Sequence, residues 1–233
     1  MFEKVISVVD TPGIFDTHKP NEETQREITK CIGISSPGPH AFVLVLNASI
    51  RYTQEEQNAV QFFENIFGEE IYKYFTVVFT RKDELDRHGT SLQEFIDDSP
   101  EELADFIEKC GNRTFAFDNT KNIEDQEEEV AKLLDLIAKN VLENEGKCYT
   151  NELYKQAEER LLQKEKAQRK AIEEKNISED QKAEELRKLR EETREELLNA
   201  TTIRTLDKVF GFVIDLFNTI GTNAINIIKA IKG

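Results

Sequence analysis

Short β-branched runs alternate with helix-spaced apolar residues over the first two thirds of the chain. A short run of consecutive β-branched residues predicts a buried strand, whereas apolar residues three or four positions apart predict a helix with one buried face. Strands are predicted at 5–9, 41–47, 74–79 and 114–117. Helices are predicted at 21–34, 53–68, 99–111 and 130–141. Strands that alternate with helices favour an α/β fold with a largely parallel sheet.

Two of these helices begin at capping sequences. Thr53 followed by Glu56 is a capping box, in which each side chain accepts a hydrogen bond from the backbone N–H of the other residue. Ser99 is the predicted cap of the third helix, because Pro100 after it suits a first helical turn. Each of the two helices is expected to end at a glycine.

The composition changes at about residue 150. From there to about residue 204 the chain consists mainly of the helix formers Glu, Lys, Gln, Arg, Leu and Ala. The pattern breaks once, near 176–178, where Ser178 and Gln181 form another capping box. Two long helices are therefore predicted, as a hairpin or a bent arm. Their apolar residues form a thin seam: Leu153, Ala157, Leu161, Leu186, Leu189 and Leu197. Both an arm packed along the preceding domain and an intermolecular coiled coil remain open.

Residues 209–231 predict an amphipathic helix, with isoleucine, valine and phenylalanine on one face and polar side chains on the other. The periodic polar face, which includes Asp215 and Lys229, argues against a helix that spans a bilayer. Two interpretations stay open: the helix lies on a membrane surface, or it packs against the rest of the protein. The polar face has few basic residues, so the membrane interpretation lacks electrostatic attraction to anionic lipids.

The 233-residue chain carries a net charge of −15 at pH 7. This balance argues against a nucleic-acid-binding protein, because such proteins present clustered Lys and Arg to the phosphates. Three cysteines, Cys31, Cys110 and Cys148, are odd in number and have no metal-ligand spacing to the three histidines. The N-terminal residues lack the pattern of a signal peptide. We expect a reduced, cytoplasmic setting, with peripheral attachment to intracellular membranes if the 209–231 helix binds lipid.

The first predicted strand ends in Asp10-Thr11-Pro12-Gly13. Ligands of α/β proteins bind at the carboxyl ends of the parallel strands. There the Asp10 carboxylate can hold a Mg²⁺-bound water, and the Gly13 N–H can approach a terminal phosphate because glycine has no side chain. This arrangement resembles the DxxG switch motif of GTPases. An ordinary turn after a strand is the alternative, since such four-residue patterns are common.

Two further predicted strands also end in polar residues. Arg81, Lys82 and Asp83 follow the third strand, and Asp118 and Asn119 follow the fourth. The first group resembles the guanine-specifying [NT]KxD motif in a Thr-x-x-Asp form. In that motif the Asp83 carboxylate accepts two N–H bonds from guanine, and the stem of Arg81 or Lys82 stacks on the base. Asn119 falls where GTPases place the loop that closes over the base. Each group alone could be a charged turn, but their order and spacing together favour a guanine-nucleotide site.

On these residues the sequence resembles the GTPases of immunity-associated proteins, the GIMAP or IAN family of septin-like G proteins. The segments that carry the resemblance are VDTPGIFDT at 9–17, PHAFVLV at 39–45, RYTQEE at 51–56, FTRKD at 79–83 and CGNR at 110–113. The resemblance implies a P-loop-NTPase-like α/β G domain at 1–148. An all-helical extension would follow, with a charged helical arm at 149–204 and an amphipathic C-terminal helix at 205–233.

The resemblance also implies GTP or GDP as ligand with Mg²⁺, GTP hydrolysis, and nucleotide-dependent homo-oligomerisation through the G domain. Such GTPases begin with a strand and a GxxxxGK[ST] loop whose amides and lysine hold the phosphates, and this pattern does not occur in the sequence. We therefore expect an incomplete sheet that lacks its first strands, and favour a truncated chain over closure of the two strand edges on each other. Nucleotide binding is expected to be impaired. The alternative is a nucleotide-free pseudo-GTPase or scaffold that acts through its helical arm and amphipathic tail.

The residue after Gly13 is Ile14, where many small GTPases have the glutamine that orients the attacking water. An apolar side chain cannot orient water, so charge stabilisation would come from elsewhere. Arg51 is the catalytic candidate, because it could reach a neighbouring nucleotide in a dimer. The alternative is that Arg51 pairs with Glu55 and Glu56 on the surface of its helix.

Overall fold

The computed structural model describes residues 6–11, 28 and 30–198. Contacts divide the chain into two compact units, one formed by residues 39–149 and the other by residues 1–38 together with 150–233. Gly13 and the predicted amphipathic helix at 209–231 lie outside the described residues. Within the described residues no helix is both long enough and apolar enough to cross a bilayer.

The described elements alternate in the order expected of an α/β protein. They are α1 (residues 28 and 30–35), β1 (Phe42–Asn47), α2 (Gln54–Phe67), a 3₁₀ helix (Glu69–Tyr74), β2 (Phe75–Thr80), α3 (Lys82–His88), α4 (Leu92–Asp97), α5 (Glu101–Lys109), β3 (Thr114–Phe117), α6 (Ile123–Glu143), α7 (Glu152–Glu173) and α8 (Glu179–Leu198).

The sheet of the 39–149 unit is parallel, with the strand order β1-β2-β3. Strand β2 is central, and its residues from Phe75 to Phe79 are all buried. A continuous apolar run is typical of a parallel strand that is covered on both faces. The prediction of a parallel α/β sheet followed by helices is confirmed, and the strands at 41–47, 74–79 and 114–117 lie within one residue of their predicted bounds.

Aromatic side chains fill the core between β1, β2 and α2. The ring of Phe42 lies 5.4 Å from that of Phe75 and 5.6 Å from that of Tyr149, measured between centroids. Phe67 lies 5.9 Å from Tyr149 in an edge-to-face arrangement, and the Tyr149 hydroxyl donates a hydrogen bond to the Phe67 carbonyl. Aromatic pairs of this geometry add to the free energy of burial. Tyr149 thereby ties the end of this unit to the end of α2.

The predicted strand at 5–9 is wrong for the residues that the structure describes. Residues 6–11 have no regular secondary structure, and the side chains of Ile6 and Val8 are 51% and 86% exposed. A β-branched run forms a strand only where a neighbouring strand supplies hydrogen-bond partners and a packed face. Among the described residues the three strands of the sheet pair only with one another.

Two helix assignments also need correction. Ser99 does not cap α5, because the N-cap is Pro100 and the Ser99 hydroxyl donates to the Phe95 carbonyl at 2.7 Å. The short helix α4 was not predicted, although Ser91 and Glu94 form a capping box in front of it. Six residues are too few for a periodic apolar pattern, so only the cap could have indicated this helix.

The predicted two long helices are confirmed as α7 and α8, which pack against each other as a hairpin. Ser178 and Gln181 form the predicted capping box, with the Gln181 N–H donating to the Ser178 hydroxyl at 3.3 Å. Four residues of the thin apolar seam are buried, namely Leu153, Ala157, Leu161 and Leu189, while Leu186 is half-buried and the side chain of Leu197 lies outside the described residues.

Candidate functional site

The carboxyl ends of the three strands form one edge of the sheet. The register pairs Asn47 with Thr80 and Thr80 with Phe117, so the strands end side by side. Beyond the strands the Ala48 N–H donates to the Thr80 carbonyl at 3.1 Å. This edge is where parallel α/β sheets bind ligands. The segments after the strands contain Arg51, the Arg81–Asp83 group and Asn119.

Arg81 is the turning point between β2 and α3. Its backbone has φ 66° and ψ 37°, a left-handed conformation that is uncommon for a residue other than glycine. The turn starts α3 at Lys82, so Lys82 and Asp83 lie in the first turn of a helix. The Asp83 carboxylate is thus held by a helix, close to the sheet edge and near the positive end of the helix dipole.

The Asp83 carboxylate has a buried oxygen atom that lacks a hydrogen-bond partner among the described residues. Its side chain is 14% exposed, and the buried atom is Oδ1. The nearest cations are Arg81 Nε, 4.0 Å from Oδ1, and Arg87 Nη2, 3.7 Å from Oδ2. Both distances exceed that of a hydrogen bond. A carboxylate oxygen in this position can accept hydrogen bonds from N–H donors of a ligand.

The two basic neighbours of Asp83 are paired with other carboxylates. Arg81 Nη2 lies 2.9 Å from Glu84 Oε1, and Lys82 Nζ lies 2.5 Å from Asp86 Oδ2. The hydrogen bond from Arg81 lowers the pKa of Glu84. Both pairs are exposed i,i+3 or i,i+4 pairs of modest strength, so either basic side chain can rearrange toward a ligand.

The loop after β3 has a defined internal structure. Asp118 Oδ1 accepts hydrogen bonds from Thr120, at 2.8 Å from its N–H and 2.6 Å from its hydroxyl. The hydrogen bond from the Thr120 hydroxyl is the main cause that lowers the pKa of Asp118, and the charge of Lys82 contributes to the same shift. Asn119 is exposed at the tip of the loop.

Arg51 lies in the segment between β1 and α2 and is exposed. Glu56 is committed to the predicted capping box, in which its Oε2 atom accepts from the Thr53 N–H at 2.7 Å. At the start of this segment the Asn47 side-chain oxygen accepts from the Ser49 N–H at 2.8 Å. Arg51 is therefore displayed on an ordered connection at the same sheet edge.

Asp10 belongs to the other unit of the chain. It is exposed, and its backbone carbonyl accepts a hydrogen bond from the Cys31 thiol at 3.5 Å. Of the predicted site residues, the fold of the 39–149 unit brings Arg51, Arg81, Lys82, Asp83 and Asn119 to one edge, while Asp10 is not part of that unit. No group of three His, Cys, Asp or Glu side chains that could hold a metal occurs within the described residues.

Two residues of α6 also reach the site and were not predicted. Gln126 and Glu129 hydrogen-bond to the loop after β3. The helix after the fourth predicted strand was expected to begin at residue 130, whereas α6 begins at Ile123 behind an Asn122 cap. The Asn122 side chain accepts from the Asp125 N–H at 3.0 Å. An asparagine followed by acidic residues is the signal that could have placed this helix start earlier.

Comparison with known proteins identifies relatives of the chain. Residues 2–170 match the profile of the AIG1 family. The chain is 37% identical over 171 residues to Immune-associated nucleotide-binding protein 9 of Arabidopsis thaliana, covering 72% of this chain and 49% of that protein. It is 35% identical over 184 residues to Immune-associated nucleotide-binding protein 8 of the same plant, covering 77% and 51%.

Immune-associated nucleotide-binding protein 3 of Arabidopsis thaliana is 36% identical over 176 residues, which cover 75% of this chain and 52% of that protein. The chain thus spans about half the length of the curated relatives it matches. The AIG1 match covers well over half of the chain, and the parallel sheet is that of a P-loop GTPase-like domain. The chain therefore belongs to the AIG1 family, as a relative of the plant immune-associated nucleotide-binding proteins.

Proposed function

We propose that this chain binds guanine nucleotides and that Asp83, Lys82 and Asn119 recognise the base. The observation that carries the proposal is the buried Asp83 Oδ1 atom without a hydrogen-bond donor among the described residues, on the sheet edge that also presents Asn119. Guanine offers two adjacent donors, N1–H and the exocyclic amino group, which match the two oxygens of a carboxylate. Adenine lacks this pair, so the same geometry selects guanine. The stems of Lys82 and Arg81 can lie along the base.

Mg²⁺ would accompany the phosphates and neutralise part of their charge. Asp10 is an exposed carboxylate of the ligand type that Mg²⁺ prefers, and it would hold the ion through a bound water. Gly13 would offer its N–H to a terminal phosphate. The sequence has no GxxxxGK[ST] pattern to hold the phosphates, so we propose that binding by this chain alone is weak.

The proposal extends to GTP hydrolysis in a nucleotide-dependent dimer, in the cytoplasm or at the surface of an intracellular membrane. The observation that supports a role for Arg51 is its exposure on the same edge as the base-recognition residues. An arginine displayed there could stabilise charge on a nucleotide held by a second copy. Attachment to membranes would use the segment at 209–231.

The first experiment is a titration of the full chain with GDP, GTP and ADP in the presence of Mg²⁺. Binding is measured by calorimetry and by saturation-transfer NMR. We expect saturable binding of GDP and GTP and none of ADP. Equal binding of ADP would contradict base recognition by Asp83. No binding of any nucleotide would contradict the proposed function and leave the scaffold alternative.

The substitution Asp83→Asn tests the assigned residue directly. An asparagine amide donates where the carboxylate accepted, so it opposes the guanine amino group but matches the carbonyl that xanthine carries in its place. We expect affinity for GDP to fall about tenfold or more and affinity for xanthosine diphosphate to rise. Asp105→Asn, an exposed change on α5, is the matched control and should leave both affinities unchanged. An unchanged preference in Asp83→Asn would show that Asp83 does not contact the base.

A further inference from the structure

The loop after β3 is held from behind by helix α6. Glu129 lies two turns into α6 and is 6% exposed, so its carboxylate is buried. Its Oε2 atom accepts a hydrogen bond from the Asp118 N–H at 3.0 Å, and its Oε1 atom accepts from Lys121 Nζ at 2.5 Å. A buried carboxylate is stable only when its oxygens find such partners. Glu129 therefore connects both ends of the 118–121 loop to α6 by hydrogen bonds.

Gln126 holds the middle of the same loop. Its side-chain Nε2 group donates to the Asn119 carbonyl at 3.0 Å and to the Lys121 carbonyl at 2.8 Å. Both N–H donors of the amide are used on two backbone carbonyls. Together with the turn formed by Asp118 and Thr120, these bonds fix the backbone on each side of Asn119 while its side chain stays exposed.

We propose that Gln126 and Glu129 are positioning residues, which hold the 118–121 loop in its base-receiving conformation before a nucleotide arrives. This inference rests on the proposed function, because Asn119 matters to the base only if the chain binds guanine nucleotide. A loop that is ordered in advance avoids the entropy cost of ordering on binding, so its supports contribute to affinity without touching the ligand.

The test uses Gln126→Met, which removes both N–H donors, adds no charge and retains length and helix propensity. Gln93→Met on α4 is the matched control, because the hydrogen bond that the Gln93 amide donates goes to Asp97 in its own helix. Each full-length variant is titrated with GDP and Mg²⁺, and amide hydrogen exchange of residues 117–122 is measured without nucleotide. Thermal unfolding reports on the fold.

We expect Gln126→Met to exchange the Asn119–Lys121 amides faster and to bind GDP about fivefold to tenfold more weakly, because the two neutral hydrogen bonds that hold the loop are lost. The variant should unfold near the wild-type temperature. Gln93→Met should match the wild type in exchange and binding. Glu129→Gln, which keeps an oxygen for the Asp118 N–H, should lose less amide protection than Glu129→Ala.

Three outcomes overturn the inference. Equal GDP affinity in Gln126→Met and the wild type overturns the positioning role alone, and so does unchanged amide exchange. Failure of the wild type itself to bind GDP overturns the proposed function, and the role in base binding with it.

Discussion

Gly111 and Arg113 lie in the turn between α5 and β3, where the Arg113 side chain packs against the Gly111 backbone. The Arg113 guanidinium folds back and donates to the Tyr72 carbonyl at 2.7 Å and to the Phe75 carbonyl at 2.9 Å. Burial lowers the pKa of Arg113. Gly111 has φ +67°, and a Cβ atom at this position would lie 2.6 Å from Arg113 Nη1. Glycine is needed here for two reasons, the left-handed backbone and the space taken by the guanidinium.

Gly111→Ala should therefore destabilise the 39–149 unit by about 2–3 kcal/mol, of which about 1–2 kcal/mol is the left-handed strain. Gly89→Ala is the matched control, because Gly89 has φ +66° but a Cβ atom at this position would meet no other atom within 4 Å. The difference between the two variants in denaturant unfolding measures the clash with Arg113. Equal losses would mean that Arg113 moves aside freely.

The sequence predicts the position of some site residues but not of others. The position of Asp83 after a strand was predicted from motif spacing, because a carboxylate at a strand end has a local signature. The left-handed turn at Arg81 was not, since arginine has no preference for that conformation. Glu129 could not be recognised as a loop anchor, because its partner Asp118 is eleven residues away and the contact depends on how α6 packs.

The α7–α8 hairpin combines a thin apolar seam with a buried charge cluster. Glu165 on α7 is fully buried, and its oxygens lie 3.1 Å from Arg169 Nη1 and 2.8 Å from Arg190 Nη1 on α8. Arg190 also pairs with Glu158, which lies about two turns before Glu165 on α7. Because a buried charge is costly without its partner, the cluster favours one register of the two helices. The periodic pattern predicted both helices but not which charges meet between them.

Glu165→Ala should lower the free energy of unfolding of the hairpin by about 2 kcal/mol, because it removes the two charge-assisted hydrogen bonds from Arg169 and Arg190 while Arg190 keeps its pair with Glu158. Glu159→Ala, an exposed change on the same helix, should shift it by no more than about 0.5 kcal/mol. Far-ultraviolet circular dichroism in denaturant gives both values. A loss for Glu165→Ala as small as that of the control would show that the cluster contributes little to the hairpin.

The net charge acts on the protein as a whole. The chain has 46 acidic and 31 Lys and Arg residues, which gives −15 at pH 7. Such a charge repels polyanions at low ionic strength, where screening is weakest. We expect no binding to a fluorescently labelled DNA duplex in low-salt fluorescence anisotropy, with a basic DNA-binding protein as positive control. Binding that weakens as salt is added would reveal a basic patch and contradict this expectation.

The sequence alone determined the alternation of strands and helices, the family and the residues at the strand ends. These features depend on apolar periodicity and local spacing, which the chain carries in consecutive residues. Tertiary structure decided whether each segment found a partner. Residues 6–9, the described part of the predicted strand at 5–9, pair with no strand among the described residues, while Gln126 and Glu129 hydrogen-bond to the loop after β3. Both outcomes depend on contacts between residues distant in the chain, because hydrogen-bond partners and buried faces are supplied by packing.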